Sequence, residues 1–484
     1  MLDFAIFAVC FVVFLLMLVV YLYPGSSKQT TIPGIDPSDP KEGNVGDIVQ
    51  AGGLQNFLLS LHKEHGPITS FWMGTKLVIS IGDAELFKAQ AHIFDKPADL
   101  FELYRDLVGA DSILFSNGAE AREKRRRLDD VLTGDHIDDF VAPLQKMCKE
   151  VVDRWESLPA EEHVPIYQYM YALCIKTCTR LLFGDYFFDD KHVLEFSRAF
   201  ELCIKELEEM ASGMVPDPDS PRTKKYEEAA KKMRSLLKQA LEKRSQSKQD
   251  GGVQETLADV LANSSASDKE ALDDCVTFAL KSYSLVSAMT WALYFLATHT
   301  DVQDAIAKEA DKLMSKGTPL KLQDFLQLGH LQKTIKETLR TATIEPWTAR
   351  CQDVDVEIAG HIIPKKARLG HMFTSGARFL STTPVIQALG VVLHKEDHWK
   401  VPNRFDSSRF DEEFPELAYC PFGFAGKRTC PGKDLSLLHM SVFLVTLCHR
   451  LKLRLIQDQV VTPTFALVTK TDDEVWLTLE RRKP

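Results

Sequence analysis

From residue 137 to residue 315 the sequence offers six stretches in which apolar side chains return at helical spacing, 137–157, 165–184, 191–211, 222–245, 268–299 and 301–315. A return every three or four residues commits a segment to a helix with one buried face. All six outrun the mean globular helix of about 11–12 residues, so a sheet-dominated fold is excluded. Two polar breaks, GMVPDPDSP (213–221) and SQSKQDGG (245–252), carry no pattern of their own and read as surface loops within one domain. Ahead of the helices, ITSFWMG (68–74) and KLVISIG (76–82) flank Thr75 and read as a β-hairpin. Short strand-like pieces return at 354–363 and 474–480. The expected class is mainly α with a small β portion.

The N-terminus is of another kind. Phe4 to Tyr23 is 20 residues without charge or proline, and at about 1.5 Å per residue it reaches the roughly 30 Å of a hydrocarbon core. Small residues at Gly25, Ser26 and Ser27 would suit a cleaved signal. Asp3 in place of a basic leader, the length of the run, and Tyr21 and Tyr23 at an interface favour an uncleaved transmembrane helix. The expected layout is an anchor over 1–25, a stiff Pro/Gly-rich linker over 26–45 that holds the body off the membrane, and a catalytic body over 46–484. Lys28 after the span gives a slight bias to a cytosolic body. A net charge of -10 excludes general phosphate attraction, so no nucleic-acid partner is expected. Ten cysteines without a Cys-x-x-Cys pair exclude a disulfide scaffold or zinc ribbon.

The chemistry gathers at CPFGFAGKRTCPGKD (420–434). Glycines let backbone N–H groups approach the thiol of Cys430, and Lys427 and Arg428 favour its thiolate. The apolar helix expected from 435 begins just after it, so the helix dipole acts the same way. Upstream, Glu337 and Arg340 share one helical face in IKETLRTATIEP, and PNRFDSSRF (402–410) brings Arg409, a second guanidinium for the same carboxylate.

Helical Glu-x-x-Arg, then Pro-x-x-Phe with Arg-Phe, then Gly-x-Arg-x-Cys-x-Gly, behind an anchor and a long helical body, resembles the cytochrome P-450 superfamily of haem-thiolate monooxygenases. IPGI, GPITSFWMG, TWALYFLATHTDVQ and ALGVVLHKEDHW narrow the resemblance to family twenty, subfamily A. It implies a large helical domain with a smaller β-rich region, haem b, and Cys430 as the proximal iron ligand, whose thiolate pushes electron density toward O–O cleavage. Gly426, Phe424 and Gly432 would complete the cofactor loop, and Arg428 would meet a haem propionate. Arg125 falls on the arginine of the family's Trp-x-x-x-Arg element, with Ala121 in place of the tryptophan. Glu337, Arg340 and Arg409 would form a structural triad clamping the cysteine loop. The resemblance also implies an endoplasmic-reticulum membrane location with the catalytic domain cytosolic, an acidic NADPH-cytochrome reductase as electron donor, membrane lipid and a small lipophilic substrate.

Several positions depart from that pattern. Gly423 stands at the phenylalanine offset before the cysteine, between Phe422 and Phe424. On the helix expected over 268–299, opened by a Ser267 to Glu270 capping box, Ser284 takes the place of the proton-delivering alcohol and Tyr283 that of the acid, with Lys281 where a glycine is usual. No Asp or Glu lies between Asp274 and Asp301. That absence keeps open a peroxide isomerase or dehydratase, which needs no proton relay, and a non-catalytic haem or lipid-binding membrane protein. RLGHMFTSGARFLSTT (368–383) reads as an insertion into a stretch expected to line the substrate pocket. Arg122, Lys124, Arg125, Arg126 and Arg127, with Lys427 and Lys433, are expected to form a basic docking patch for the reductase.

Overall fold

The structure, a computed structural model, describes residues 11–15, 30–132, 134–159, 161–247, 256–352, 354–363, 365–368, 380–424 and 428–482. The expected hairpin is strands β1 (Ile68–Met73) and β2 (Lys76–Ile81), paired antiparallel from Ile68↔Ile81 to Met73↔Lys76. After α1 (Gly118–Leu132), the six periodic stretches form α2 (Val141–Glu156), α3 (Ile166–Phe183), α4 (Asp190–Ala211), α5 (Pro221–Ser247), α6 (Asp268–Thr298) and α7 (Thr300–Met314).

Their ends have local causes. Pro221 opens α5 at the one position where a missing N–H costs nothing. Gly184 closes α3 at φ +82°, where its N–H reaches the Arg180 carbonyl at 3.1 Å. Ser267 caps α6 by accepting from the Glu270 N–H at 3.2 Å.

Helix α6 is buried along most of its length, including Val276, Ala279, Val286, Met289, Ala292 and Leu296, and packs on α3 and on α8 (Gly329–Ala342). Near the C-terminus, α9 (Lys433–Arg450) packs on α2 and α7 and buries Leu438, Val442, Phe443, Leu444 and Leu447. A side chain buried all round a helix marks a helix inside a large core rather than on its surface. The two central helices face one another across the cavity described below. The largest sheet has the order β1-β2-β4-β3, with β3 at Thr348–Cys351 and β4 at Pro384–Gln387. Strand β4 pairs parallel with β2 and antiparallel with β3.

The sheet bears on two expectations. Residues 30–45, read as a linker, are part of the body: Ile32 is buried, the Ile35 N–H donates to the Ser70 carbonyl at 3.1 Å, and Asn44 exchanges backbone and side-chain hydrogen bonds with Trp72 at 2.8 Å each. Gly34 is required there, since a Cβ on it would lie 2.0 Å from the Ser70 oxygen. The insertion does not break the sheet. Its arms, Lys366–Arg368 and Leu380–Thr382, pair antiparallel as a separate hairpin, and the β4 ladder resumes at Pro384. Its tip, 369–379, lies outside the described residues.

The expected membrane span also lies outside the described residues except for 11–15, which are helical with Phe11 to Leu15 exposed. Among the described residues no helix is long and apolar enough to cross a membrane.

Candidate functional site

Between α6 and the start of α9 lies a cavity of about 320 Å³ with Cys430 in its wall. Phe101, Leu128, Leu181, Phe278, Ala288 and Trp347 give it a largely apolar lining. The Cys430 N–H donates to the Phe422 carbonyl at 2.9 Å. Gly432, the N-cap of α9, brings the chain so close that a Cβ there would sit 4.0 Å from the sulfur. Burial pushes the thiol up and Glu345 adds to this, while the Gly432 N–H, Lys281 and Arg125 pull it down. Cys178 also lines the cavity, and burial pushes its thiol up to about 12. The balance stays above the ordinary thiol value, but of the two cysteines in the wall it is Cys430 on which an amide and cations act to lower it.

Gly423 has φ +82°, a turn conformation that a phenylalanine would adopt only under strain, and Phe422 takes the place in the cavity wall. Phe424, expected beside the cofactor, turns away: it is buried in a stack with Phe87 at 4.8 Å. Gly426 lies outside the described residues.

Lys96, Arg125 and Arg428 line the cavity, and the charge of a fourth cation, Arg350, acts on two of them. Arg125 donates to the Thr429 carbonyl and pairs with Asp129 at 2.6 Å. Arg428 donates to the carbonyls of Phe94 and Ser116, both at 2.9 Å, and burial pulls its guanidinium down to about 10. Lys96, which sequence reasoning missed, lies 5.3 Å over the Phe101 ring and is pulled down by burial and then by Arg350 and Arg428. Arg350, also missed, is fully buried with its Nε lacking a hydrogen-bond partner among the described residues. So much positive charge beside the thiol fits a flat group that brings its own carboxylates, as a haem does with its propionates. Lys96, between Asp95 and Pro97, and Arg350, between Ala349 and Cys351, belong to no motif that the sequence spacing picks out.

Glu337 is fully buried and accepts from both sides. Arg340 meets it with Nε at 2.7 Å and Nη2 at 2.9 Å, Arg409 donates to Oε1 at 3.1 Å, and the Asp406 N–H to the same oxygen at 2.9 Å. Arg340 also holds the carbonyls of Leu393 and Pro402 at 2.9 and 2.7 Å. The cluster ties α8 to the segment 393–409 that leads into the cysteine loop.

The opposite wall changes the reading of proton delivery. Ser284 lines the cavity, and its hydroxyl donates to Glu345 at 2.6 Å rather than back to its own helix, as Ser282 does to the Ala279 carbonyl. Lys281 reaches both oxygens of Glu345, at 3.2 and 3.3 Å, from one turn earlier on α6. Burial pushes the Glu345 carboxyl up, yet Lys281 first and then Ser284 hold it below its ordinary value. The loop after α8 thus brings a carboxylate to the serine at the alcohol's place. Tyr283, expected at the acid's place, faces the other way because consecutive helical residues point about 100° apart. Its hydroxyl donates to Glu208 of α4 at 2.9 Å and accepts from Tyr167 at 3.3 Å.

The expected basic patch is divided by the same periodicity. Lys124 turns inward to Glu270 at 2.9 Å and Arg125 turns to the cavity, while Arg126 and Arg127 both pair with Glu123, at 2.8 and 3.0 Å. Arg122 lies 5.1 Å over the Phe94 ring, Lys433 is exposed, and Lys427 lies outside the described residues.

A helical body around one thiol-bearing apolar cavity, flanked by buried cations, belongs to a known class: the chain is a member of the cytochrome P450 family, whose model matches residues 36–476. It is a P450 monooxygenase, and the family's cofactor is haem held through a cysteine thiolate. Among its relatives is cytochrome P450 20A1, 34% identical in Mus musculus over 484 residues and 33% identical in Homo sapiens over 488, with the whole of each chain covered. The solved structure of retinoic acid bound cyanobacterial CYP120A1 superposes with a TM-score of 0.77 at 20% identity, covering 93% of this chain and 99% of that one, a likeness of fold.

Proposed function

We propose that the chain is a membrane-anchored monooxygenase that oxidises a small lipophilic substrate with O2 and electrons from a flavoprotein reductase. In this reading the apolar run 4–23 is a single-pass anchor in the endoplasmic reticulum, and the body lies in the cytosol. The observation that carries it is Cys430 in the wall of a cavity lined largely by apolar side chains, with cations beside the thiol.

Cys430 would be the thiolate ligand, beside the Gly432 amide and the α9 terminus, and Arg125, Arg428 and Lys96 would receive the propionates. The haem, when bound, supplies the oxygen-activating chemistry. The apolar wall excludes water and selects a substrate by shape and hydrophobic contact. The Glu337, Arg340 and Arg409 cluster fixes the segment that presents Cys430. Lys433, Arg122, Arg126 and Arg127 form a reduced docking face, tempered by Glu123, that steers an acidic reductase. With a carboxylate at Ser284, nothing favours a peroxide isomerase over the monooxygenase.

The test is turnover of the full chain in lipid with NADPH and the reductase. Product formed only with reductase supports the reading. Product from an organic peroxide without reductase would point to an isomerase, and ligand-induced spectral change without turnover to a binding protein.

A further inference from the structure

Three polar side chains meet in the cavity wall beside α6. Ser284 and Lys281 stand one turn apart on one face of α6, and both meet Glu345, which arrives from the loop joining α8 to β3. The Lys281 to Glu345 pair lines the same cavity as Cys430, and both of its charges act on the Cys430 thiol, one raising and one lowering it. A surface ion pair would be worth little and could be dispensed with. This pair keeps 43% and 36% of its side-chain surface open, yet both side chains line the cavity that holds Cys430.

We propose that Glu345 is the proton carrier of the oxygen-activating site, working through the Ser284 hydroxyl, with Lys281 as the positioning residue that aims its carboxylate. The inference rests on the monooxygenase reading above. In the resting arrangement Glu345 is a carboxylate that accepts from both neighbours. When it takes a proton from water, Ser284 passes one on: the Ser284 O–H bond breaks as its proton goes to the O2 under reduction, the acceptor that the monooxygenase activity supplies, and the Glu345 proton replaces it. Serine ends unchanged, Glu345 returns to carboxylate, and water has lost the proton that the acceptor gained. Lys281 holds the carboxylate against Ser284 from the far side, so that the pair stays within hydrogen-bond reach between transfers. Tyr283 takes no part, being committed to Glu208 and Tyr167.

The experiment uses the full-length haem-loaded protein in its reduced carbon monoxide complex. The infrared C–O stretch reports the charge beside the bound gas, because a nearby positive charge lowers it and a negative charge raises it. Lys281→Met should raise the stretch, Glu345→Gln should lower it, and Tyr283→Phe should leave it in place. With NADPH and reductase, Glu345→Gln should slow oxygen uptake by about 10² to 10⁴, the worth of positioned acid–base help. Glu345→Asp, which keeps the carboxylate, should recover part of the rate. Absence of any shift in both the Lys281 and Glu345 variants would overturn the proposal, and so would wild-type oxygen uptake in Glu345→Gln. If Glu345→Gln does not load haem, Ser284→Ala decides: slowed uptake supports the relay and wild-type uptake overturns it. A thiolate-type Soret band retained in these variants separates failure of the relay from failure of the monooxygenase reading, which would remove that band from the unmodified protein.

Discussion

Replacing Glu337 by alanine should show how much of the fold's stability passes through one carboxylate. Glu337 and Arg340 are fully buried, and three hydrogen-bonded partners, Arg340, Arg409 and the Asp406 N–H, converge on the carboxylate at 2.7 to 3.1 Å. The variant strands two guanidinium groups, one of them without contact to water. Removing one partner of a buried pair costs about 3–5 kcal/mol. Arg340 keeps the carbonyls of Leu393 and Pro402, which places the loss toward the lower end. An unfolding entropy of about 2.1 cal/mol/K per residue gives roughly 1 kcal/mol/K for a chain of this length, so a cooperative transition should fall by about 3–4 °C. The cluster also positions the segment before Cys430, so haem content per protein should fall as well. Calorimetry and the ratio of haem to protein absorbance measure the two effects. A melting temperature within about 1 °C of wild type, with full haem content, would show that the cluster neither clamps the cysteine loop nor carries a desolvated charge.

Other expectations follow from single residues. Burial pushes the Asp274 carboxyl up to about 7 against the pull of the Ile113 N–H and Lys124. Between about pH 4 and 7 the folded chain therefore holds a proton that the unfolded chain has lost, and stability falls as pH rises through that window. Asp274→Asn should gain on wild type in melting temperature from pH 5 to pH 8, and a constant difference would contradict this. Tyr283→Phe should leave peroxide release and product yield as in wild type, because its hydroxyl contacts Glu208 and Tyr167 rather than the cavity. Gly423→Phe, which restores the residue expected at that offset, should lower the melting temperature, since a left-handed backbone at a non-glycine residue costs about 1–3 kcal/mol. An unchanged or raised value would mean that the loop relaxes to another turn.

The long helices were legible because each buries a face along many turns, and the β1–β2 hairpin because Gly74-Thr75 interrupts two β-branched runs. Residues 30–45 misled: proline and glycine there suggest a spacer, yet Ile32, Ile35 and Asn44 are what dock the segment onto β1. At the site, Cys430 and the Glu337 pair stand out by local spacing. Glu345 does not, because it is 61 residues from Ser284 and meets it only once α6 and α8 are packed. The basic run 122–127 was overread for a related reason. Counting charges along the chain ignores a helical period that sends Lys124 and Arg125 inward and pairs Arg126 and Arg127 with Glu123.

The central claim is that Cys430 presents a thiolate to haem in the cavity between α6 and α9. The reduced carbon monoxide difference spectrum of the purified full-length protein tests it, read beside Cys430→Ala and Cys420→Ala. The long-wavelength Soret band of a thiolate-ligated complex should appear in the wild type and in Cys420→Ala and be lost in Cys430→Ala. Its absence from the wild type, or its survival in Cys430→Ala, would contradict the claim.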